Sequence, residues 1–393
     1  MMTRKIAATI SAILLHLAVG SIYAWSVAVN PIMEETGWSQ LQITIVFGTT
    51  LLFLGFSTLL FSDKIKKAGP KKSCATAFVL FFTGMLISTV AVTNEIYSLL
   101  IIGYGVILGI GTGIAYLTPI PVLMTWYGKY KGVAAGMVIT GFGFSSIIAS
   151  QGYHYCYSIG ITDNIFLIVG GLMSLLMLPS IFFLRPNPSV QQDSIVEEVK
   201  SKDPLFKNVN FRLLWLLFFI NITVGIGILS SLAPMTQQLF AVPSYETATI
   251  VGIAGFTNGI ARFFWSFLSD IIGRPLTTVA LIVCELIAVL TFFYFNSYIV
   301  YKLCVFTIIA CYGGMFAVMP AYINDLFGIE EMREIFGSVL SAWGVAGFIA
   351  PITLIYFYQL FGSYSHFFYG TLILSCINLV IVMYLAERNV TRI

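Results

Sequence analysis

The length of its apolar runs constrains this chain more than any other feature. Twelve such runs, near 6–32, 40–62, 73–93, 97–126, 132–155, 164–184, 211–240, 247–269, 276–296, 299–323, 334–360 and 364–386, are parted by short links carrying polar residues, Gly or Pro. A helix needs about 20 apolar residues to cross a hydrocarbon layer, whereas a buried strand needs far fewer. Charged residues make up only 9% of the chain, against about 25% in an average soluble protein, so a water-soluble globule is excluded. Barrel strands would alternate apolar and polar residues, and these runs are continuously apolar. The sequence therefore predicts an all-α membrane protein with twelve transmembrane helices. Its start, Arg4-Lys5 and then an apolar run, has the form of a secretory signal. The run continues to Pro31 without a small-residue cleavage site, and we read it as the first span.

Basic residues orient these spans, because short cytoplasmic links collect Lys and Arg. One face collects Arg4, Lys5, Lys64, Lys66, Lys67, Lys71, Lys72, Lys129, Lys131, Arg185, Lys200, Lys202, Lys207, Arg212, Arg274, Arg333, Arg388 and Arg392; the other has only Lys302. Both termini are therefore expected in the cytoplasm and the chain in the cell (inner) membrane. A net charge of +3 without a basic stripe argues against nucleic acid binding. The six cysteines fall at no metal or redox spacing, and His16, His154 and His366 form no cluster, so neither metal nor cofactor is expected.

The longest polar stretch, Pro186 to Asn210, divides the helices six and six. Residues 1–185 and 211–393 would then be two six-helix bundles joined by a cytoplasmic linker at 186–210. Three matches support an internal repeat. Ser39-x4-Thr44-Ile45-Val46 recurs as Ser244-x4-Thr249-Ile250-Val251, Ser62-Asp63 as Ser269-Asp270, and Gly136 to Gly143 as Gly337 to Gly344, at offsets of 201 to 207 residues. Parallel repeats of six helices suit a secondary transporter, whose halves rock about a site near the midplane.

Four segments resemble the major facilitator superfamily, and within it the oxalate/formate antiporter group. They are Gly20 to Ser26 with Gly37-Trp38-Ser39, Gly109 to Tyr116 running to Trp126-Tyr127, Lys131 to Gly136 with Gly141-Phe142-Gly143, and Asn258 to Trp265 with Ser269 to Arg274. The resemblance implies two pseudo-symmetric helix bundles and transport by alternating access.

Arg262 is the basic residue left inside a span. It stands eight residues from Asp270, roughly 12 Å along the helix and so near mid-bilayer. A guanidinium there costs about 2.5–3.5 kcal/mol on insertion scales and marks a functional site by default. Its fork of donors suits a carboxylate. An internal salt bridge to Glu285 is the competing explanation. The matching position of the first repeat is Gly55, so the charge would sit on one side only.

In the resembled family an arginine in this place binds the carboxylate, and a lysine in the eleventh helix completes the site for a dianion. That lysine position is Trp343 in this chain. One cation balances one negative charge, which favours a monocarboxylate such as formate, lactate or pyruvate over oxalate. The resemblance also implies an aromatic cage, here Tyr23, Tyr116, Tyr312 and Trp343. It further implies gating ion pairs at Asp270 and Arg274, with Asp63 in the first repeat departing through the inserted Lys64, Lys66 and Lys67. Those lysines also suit anionic lipid. Two side chains could carry a coupling proton: His16, seven residues before Tyr23, and Glu285.

The expected function is secondary active transport of a small organic anion by a protein acting as a monomer, not catalysis. Alternatives are oxalate/formate-type exchange, carriage of a non-carboxylate molecule, a transporter-like sensor and a membrane-embedded enzyme. A dinucleotide reading of the Gly-x-Gly repeats fails because no strand precedes them.

Overall fold

The computed structural model describes residues 1–127, 131–189, 207–294 and 297–390. The central part of the expected linker, residues 190–206, lies outside them, as do Lys129, Lys200, Lys202 and Arg392 and the side chains of Lys131, Arg333 and Arg388. Every regular element among the described residues is helical. Among the described residues nine helices are long and apolar enough to cross a membrane. The 54-residue run Gln40–Thr93 is two spans, because Gly69 breaks it with φ 77° and ψ 166°. The long helices Lys131–Ser158 and Ser244–Ile272 fall outside the nine. Together these give twelve spans: α1 Met2–Thr36, α2 40–68, α3 70–93, α4 Tyr97–Tyr127, α5 Lys131–Ser158, α6 Ile165–Phe183, α7 Val209–Phe240, α8 Ser244–Ile272, α9 Arg274–Tyr294, α10 Tyr298–Phe327, α11 Ile329–Phe361 and α12 Ser365–Val390.

Local chemistry sets these boundaries. Ser39 and Gln42 cap α2 reciprocally: the Gln42 amide N–H donates to Ser39 Oγ at 3.3 Å, and the Ser39 N–H donates to Gln42 Oε1 at 2.8 Å. Its repeat partner Ser244 is instead the first residue of α8, behind Pro243. The turns α2–α3, α8–α9 and α10–α11 share one geometry. Gly69, Gly273 and Gly328 adopt φ of 77°, 85° and 84° with ψ of 166°, 158° and 168°, a region closed to residues with a Cβ. The repeat thus extends to the backbone of the turn, and Gly69 plays the part of Gly273 despite the lysine insert before it.

Two of the four wide helix contacts cross between the repeats. α2 packs on α11, and α5 packs on α8. Glycine makes both crossings possible. A Cβ on Gly55 would lie 2.7 Å from the Gly344 Cα, and one on Gly143 would lie 2.8 Å from the Gly259 Cα. Gly55, the repeat counterpart of Arg262, therefore lies at a helix crossing. Glycines 105, 109, 111 and 113 seat α4 against α2 and α3 with similar closeness. Gly136 makes only ordinary contact, with a nearest approach of 3.5 Å to Phe263.

Two helices depart from regular winding. α1 tightens to a 3-10 turn over Gly20–Ala24. α4 is wound more widely over Ile101–Leu108 and breaks at Thr118, between Leu117 and Pro119. At the face opposite the termini, amides clasp α1 and α2 to α7. Asn30 Nδ2 donates to Gln237 Oε1, and Gln238 Nε2 donates to Gln40 Oε1 at 3.3 Å.

The crossing can be tested at two glycines of one motif. Gly344→Leu drives a side chain into the α2 backbone, a mismatch of about 1–3 kcal/mol, and is expected to lower the melting temperature in detergent. Gly337→Leu, with nothing within 4 Å of its Cβ position, is expected to leave it unchanged.

Candidate functional site

The 3-10 turn of α1, which carries Tyr23, the break in α4, beside Tyr116, and the two crossings lie about Arg262. Its side chain is 4% exposed, in the middle of α8. Nη2 donates to Asn258 Oδ1 at 3.1 Å, one turn back on the same helix. Asn258 is itself fixed, donating Nδ2 to the Ile309 carbonyl of α10 at 3.3 Å. The guanidinium carbon lies 5.1 Å from the centre of the Phe316 ring, within cation–π range. Nε and Nη1 are buried and have no hydrogen-bond partner.

Aromatic side chains from five helices surround this cation. Tyr23 of α1 and Tyr312 of α10 join hydroxyl to hydroxyl at 2.7 Å. Tyr312 meets Phe316 at 5.4 Å, Phe316 meets Trp343 of α11 at 5.0 Å, and Trp343 meets Tyr116 of α4 at 5.6 Å between ring centres. Phe142 of α5 fills the middle, edge-on to Tyr23, Tyr116 and Trp343. The charge of Arg262 reaches the hydroxyls of Tyr23 and Tyr116. The Tyr116 hydroxyl and the Trp343 indole N–H are also buried and make no hydrogen bond of good geometry, although Arg262 stands near the first and Tyr312 near the second. Buried polar groups are paired in the great majority of cases, so this concentration of free donors around one cation is a specific feature. Chemically it offers one cation and unpaired hydrogen-bond donors inside an apolar rim.

All four expected cage residues are therefore beside Arg262. His16 is there too: its ring stacks on Tyr116 at 5.0 Å, and Nε2 pairs with the Tyr116 carbonyl oxygen at 3.0 Å, next to the break in α4. Glu285 is elsewhere. Its carboxylate accepts from Asn221 Nδ2 at 2.9 Å and from Ser375 Oγ at 3.4 Å, so the competing salt bridge to Arg262 is absent. Of the expected gate residues, Arg274 pairs with Asp270 at 2.6 Å and Asp325 at 3.7 Å and donates to Ser269 Oγ, tying together the ends of α8, α9 and α10. Asp63 has no ion-pair partner among the described residues.

Three members of the site were not singled out from the sequence. Phe142 carried a usable signal, since it is the repeat counterpart of Trp343 and the two rings meet at 6.0 Å. Asn258 carried another, as a polar residue one turn from the intramembrane arginine. Phe316 carried none, being one of 33 phenylalanines.

The Major Facilitator Superfamily family matches residues 9–351 and 254–392. The chain belongs to this superfamily. Relatives in the superfamily are distant. An uncharacterized MFS-type transporter of Escherichia coli, YhjX, is 21% identical over 353 residues, covering 86% of this chain and 84% of the relative. An oxalate:formate antiporter of Oxalobacter formigenes is 23% identical over 363 residues, covering 86% and 81%. An apicoplast pyruvate carrier of Toxoplasma gondii is 21% identical over 317 residues, covering 63% and 57%. As a major facilitator the chain belongs to a family of membrane transporters.

The hydroxyl pair that bridges α1 and α10 yields a measurable coupling. Tyr23→Phe and Tyr312→Phe each leave the other hydroxyl buried and unpaired, at about 1–3 kcal/mol. The double variant, which removes both, is expected to be less destabilised than the sum of the singles in a detergent melting cycle.

Proposed function

We propose that this transporter carries a small organic anion, a monocarboxylate, by alternating access, with Arg262 holding the carboxylate. The observation that carries the reading is the lone, half-satisfied guanidinium: two of its nitrogens are unpaired inside a ring of aromatic side chains. Formate, lactate and pyruvate have the charge that cancels it. Tyr116 and Trp343 would donate to the remaining carboxylate lone pairs, while the rings of Phe142 and Phe316 accept the apolar part. Asn258 acts as a positioning residue by fixing one edge of the guanidinium.

Binding and closure are linked in this scheme. The paired guanidinium tolerates a dry site better than the bare cation, so the anion favours the closed state once the charge of Glu285 is also balanced. Residues 1–185 and 211–393 would be the rocking halves. The amide clasp of Asn30, Gln40, Gln237 and Gln238 would be one gate, and the Asp270–Arg274 region the other. The excess of basic residues puts both termini in the cytoplasm of a cell-membrane protein, and the site needs no second copy. His16 serves here to hold Tyr116 in place.

The oxalate:formate relative supports a second reading, exchange of a dicarboxylate, which the tryptophan at position 343 disfavours. Among the described residues the only charged side chains in the buried interior are Arg262 and Glu285, and Glu285 cannot pair with a dianion.

In proteoliposomes, labelled formate or lactate is expected to be taken up and oxalate to compete weakly. Arg262→Gln should weaken apparent affinity by about 30-fold or more while the protein still purifies as a folded species. Uptake by that variant with unchanged affinity overturns the proposal.

A further inference from the structure

Glu285 is buried as deeply as Arg262, at 1% exposed, and its surroundings are chemically the reverse. Asn221 of α7 and Ser375 of α12 both donate to its carboxylate. Asn378, one turn beyond Ser375, donates Nδ2 to the Leu217 carbonyl at 3.1 Å, one turn before Asn221. The carbonyl oxygens of Asn221 and Asn378 are buried and have no partner. Each side chain is 1% exposed. Around Arg262 donors are in surplus beside a positive charge, whereas here acceptors are in surplus beside a carboxylate. The titratable groups nearest Glu285 are the thiols of Cys311 on α10, which senses its charge, and Cys284 beside it on α9. Helices α7 and α12 present only neutral amides and a hydroxyl.

A carboxylate held by neutral partners in a low-dielectric interior needs its charge cancelled. Free amide and hydroxyl oxygens beside it are the ligands a hard cation takes, and they are equally the acceptors for a carboxyl O–H. We infer that Glu285, Asn221, Ser375 and Asn378 form a site for one monovalent cation, a proton or a sodium ion, whose occupancy is coupled to that of the anion at Arg262. The coupling half of this inference rests on the proposed function.

Two observations supply the coupling. One is mechanical. Asn221 lies one turn before Gly225, where a Cβ would come within 2.5 Å of the Tyr312 side chain, so α7 touches the cation cluster and the aromatic ring together. The same helix bonds α11 near Trp343, through Trp215 Nε1 donating to Ser341 Oγ at 3.0 Å. The other is electrostatic. With both sites empty, Arg262 and Glu285 sum to zero buried charge, and with both filled each is neutralised. With only one filled, the interior carries a net unit charge. Closure is therefore favoured for both or neither, which is one-to-one symport of cation with monocarboxylate.

The test uses purified full-length protein in liposomes with labelled formate as probe. Either an inward sodium gradient at equal pH or an inward proton gradient without sodium is expected to accelerate net uptake about tenfold, and the effective gradient names the cation. Glu285→Gln should lose the acceleration yet still perform formate counterflow, because the anion alone then brings the buried charge to zero. Glu285→Asp should restore it. Asn378→Leu, which keeps the carboxylate, should raise the half-stimulating cation concentration about tenfold. Melting temperature gives a readout independent of transport. Its dependence on sodium or pH in the wild type should vanish in Glu285→Gln even if formate is not the cargo, whereas loss of formate uptake in Arg262→Gln reports on the anion reading alone. Two results overturn the inference: neither gradient driving the wild type, or the sodium or pH response persisting in Glu285→Gln.

Discussion

A guanidinium at lipid depth must be compensated, and the centre of this protein is organised around that requirement. Arg262 receives one hydrogen-bond acceptor, Asn258, and one aromatic face, Phe316. That is enough to orient the fork without satisfying it. Had the fork been paired with Glu285, the two charges would have cancelled permanently and left nothing for a ligand to do. The fold keeps them in different clusters, with Glu285 held by α7 and α12 and Arg262 facing α10. On the proposed reading, separation of these charges, more than the burial of either, would make the interior responsive to solutes.

The ring around Arg262 also depends on close backbone approach elsewhere. Tyr23 follows Gly20, whose Cβ, if present, would overlap the Phe142 backbone, and Phe142 stands between Gly141 and Gly143 at the α1 and α8 contacts. Glycine at these points lets the helices bring large rings together while their axes cross closely. Of these contacts that of Gly143 with α8 crosses between the repeats, so one surface that shapes the site is also one that must slide if the two halves rock.

Much of this was legible in the sequence because its causes are local or periodic. Run length gave the spans, and an intramembrane arginine is rare enough to identify the centre. The repeat offset set Phe142 against Trp343, whereas the likeness of Gly69 to Gly273 shows only in their backbone angles. Other features depend on how helices face one another, which periodicity does not encode. Glu285 gave no sign of its Asn221 and Ser375 partners, because those lie 64 and 90 residues away. The part of Phe316 is likewise set by the rotation of α10, and the 3-10 turn in α1 by the approach of α5. Gly55 illustrates the converse: its repeat alignment with Arg262 was right in sequence, but in space it marks a crossing with α11 instead of an opposing wall of the site.

Trp343 shows how one substitution reshapes such a site. A lysine there would add a second buried cation, and the neutral state would then need two negative charges. The indole contributes a single uncharged donor and a large apolar face in contact with Tyr116, Phe142 and Phe316. It narrows the socket while leaving its charge at one. On the proposed reading, the orphan N–H of Trp343 and the two orphan nitrogens of Arg262 would suit a guest with a single negative charge and more than one acceptor, presented to a wall that is otherwise carbon. A carboxylate on a short apolar stem satisfies each of those conditions. A dianion would leave one charge facing aromatic rings, and a neutral polar molecule would leave the guanidinium uncompensated.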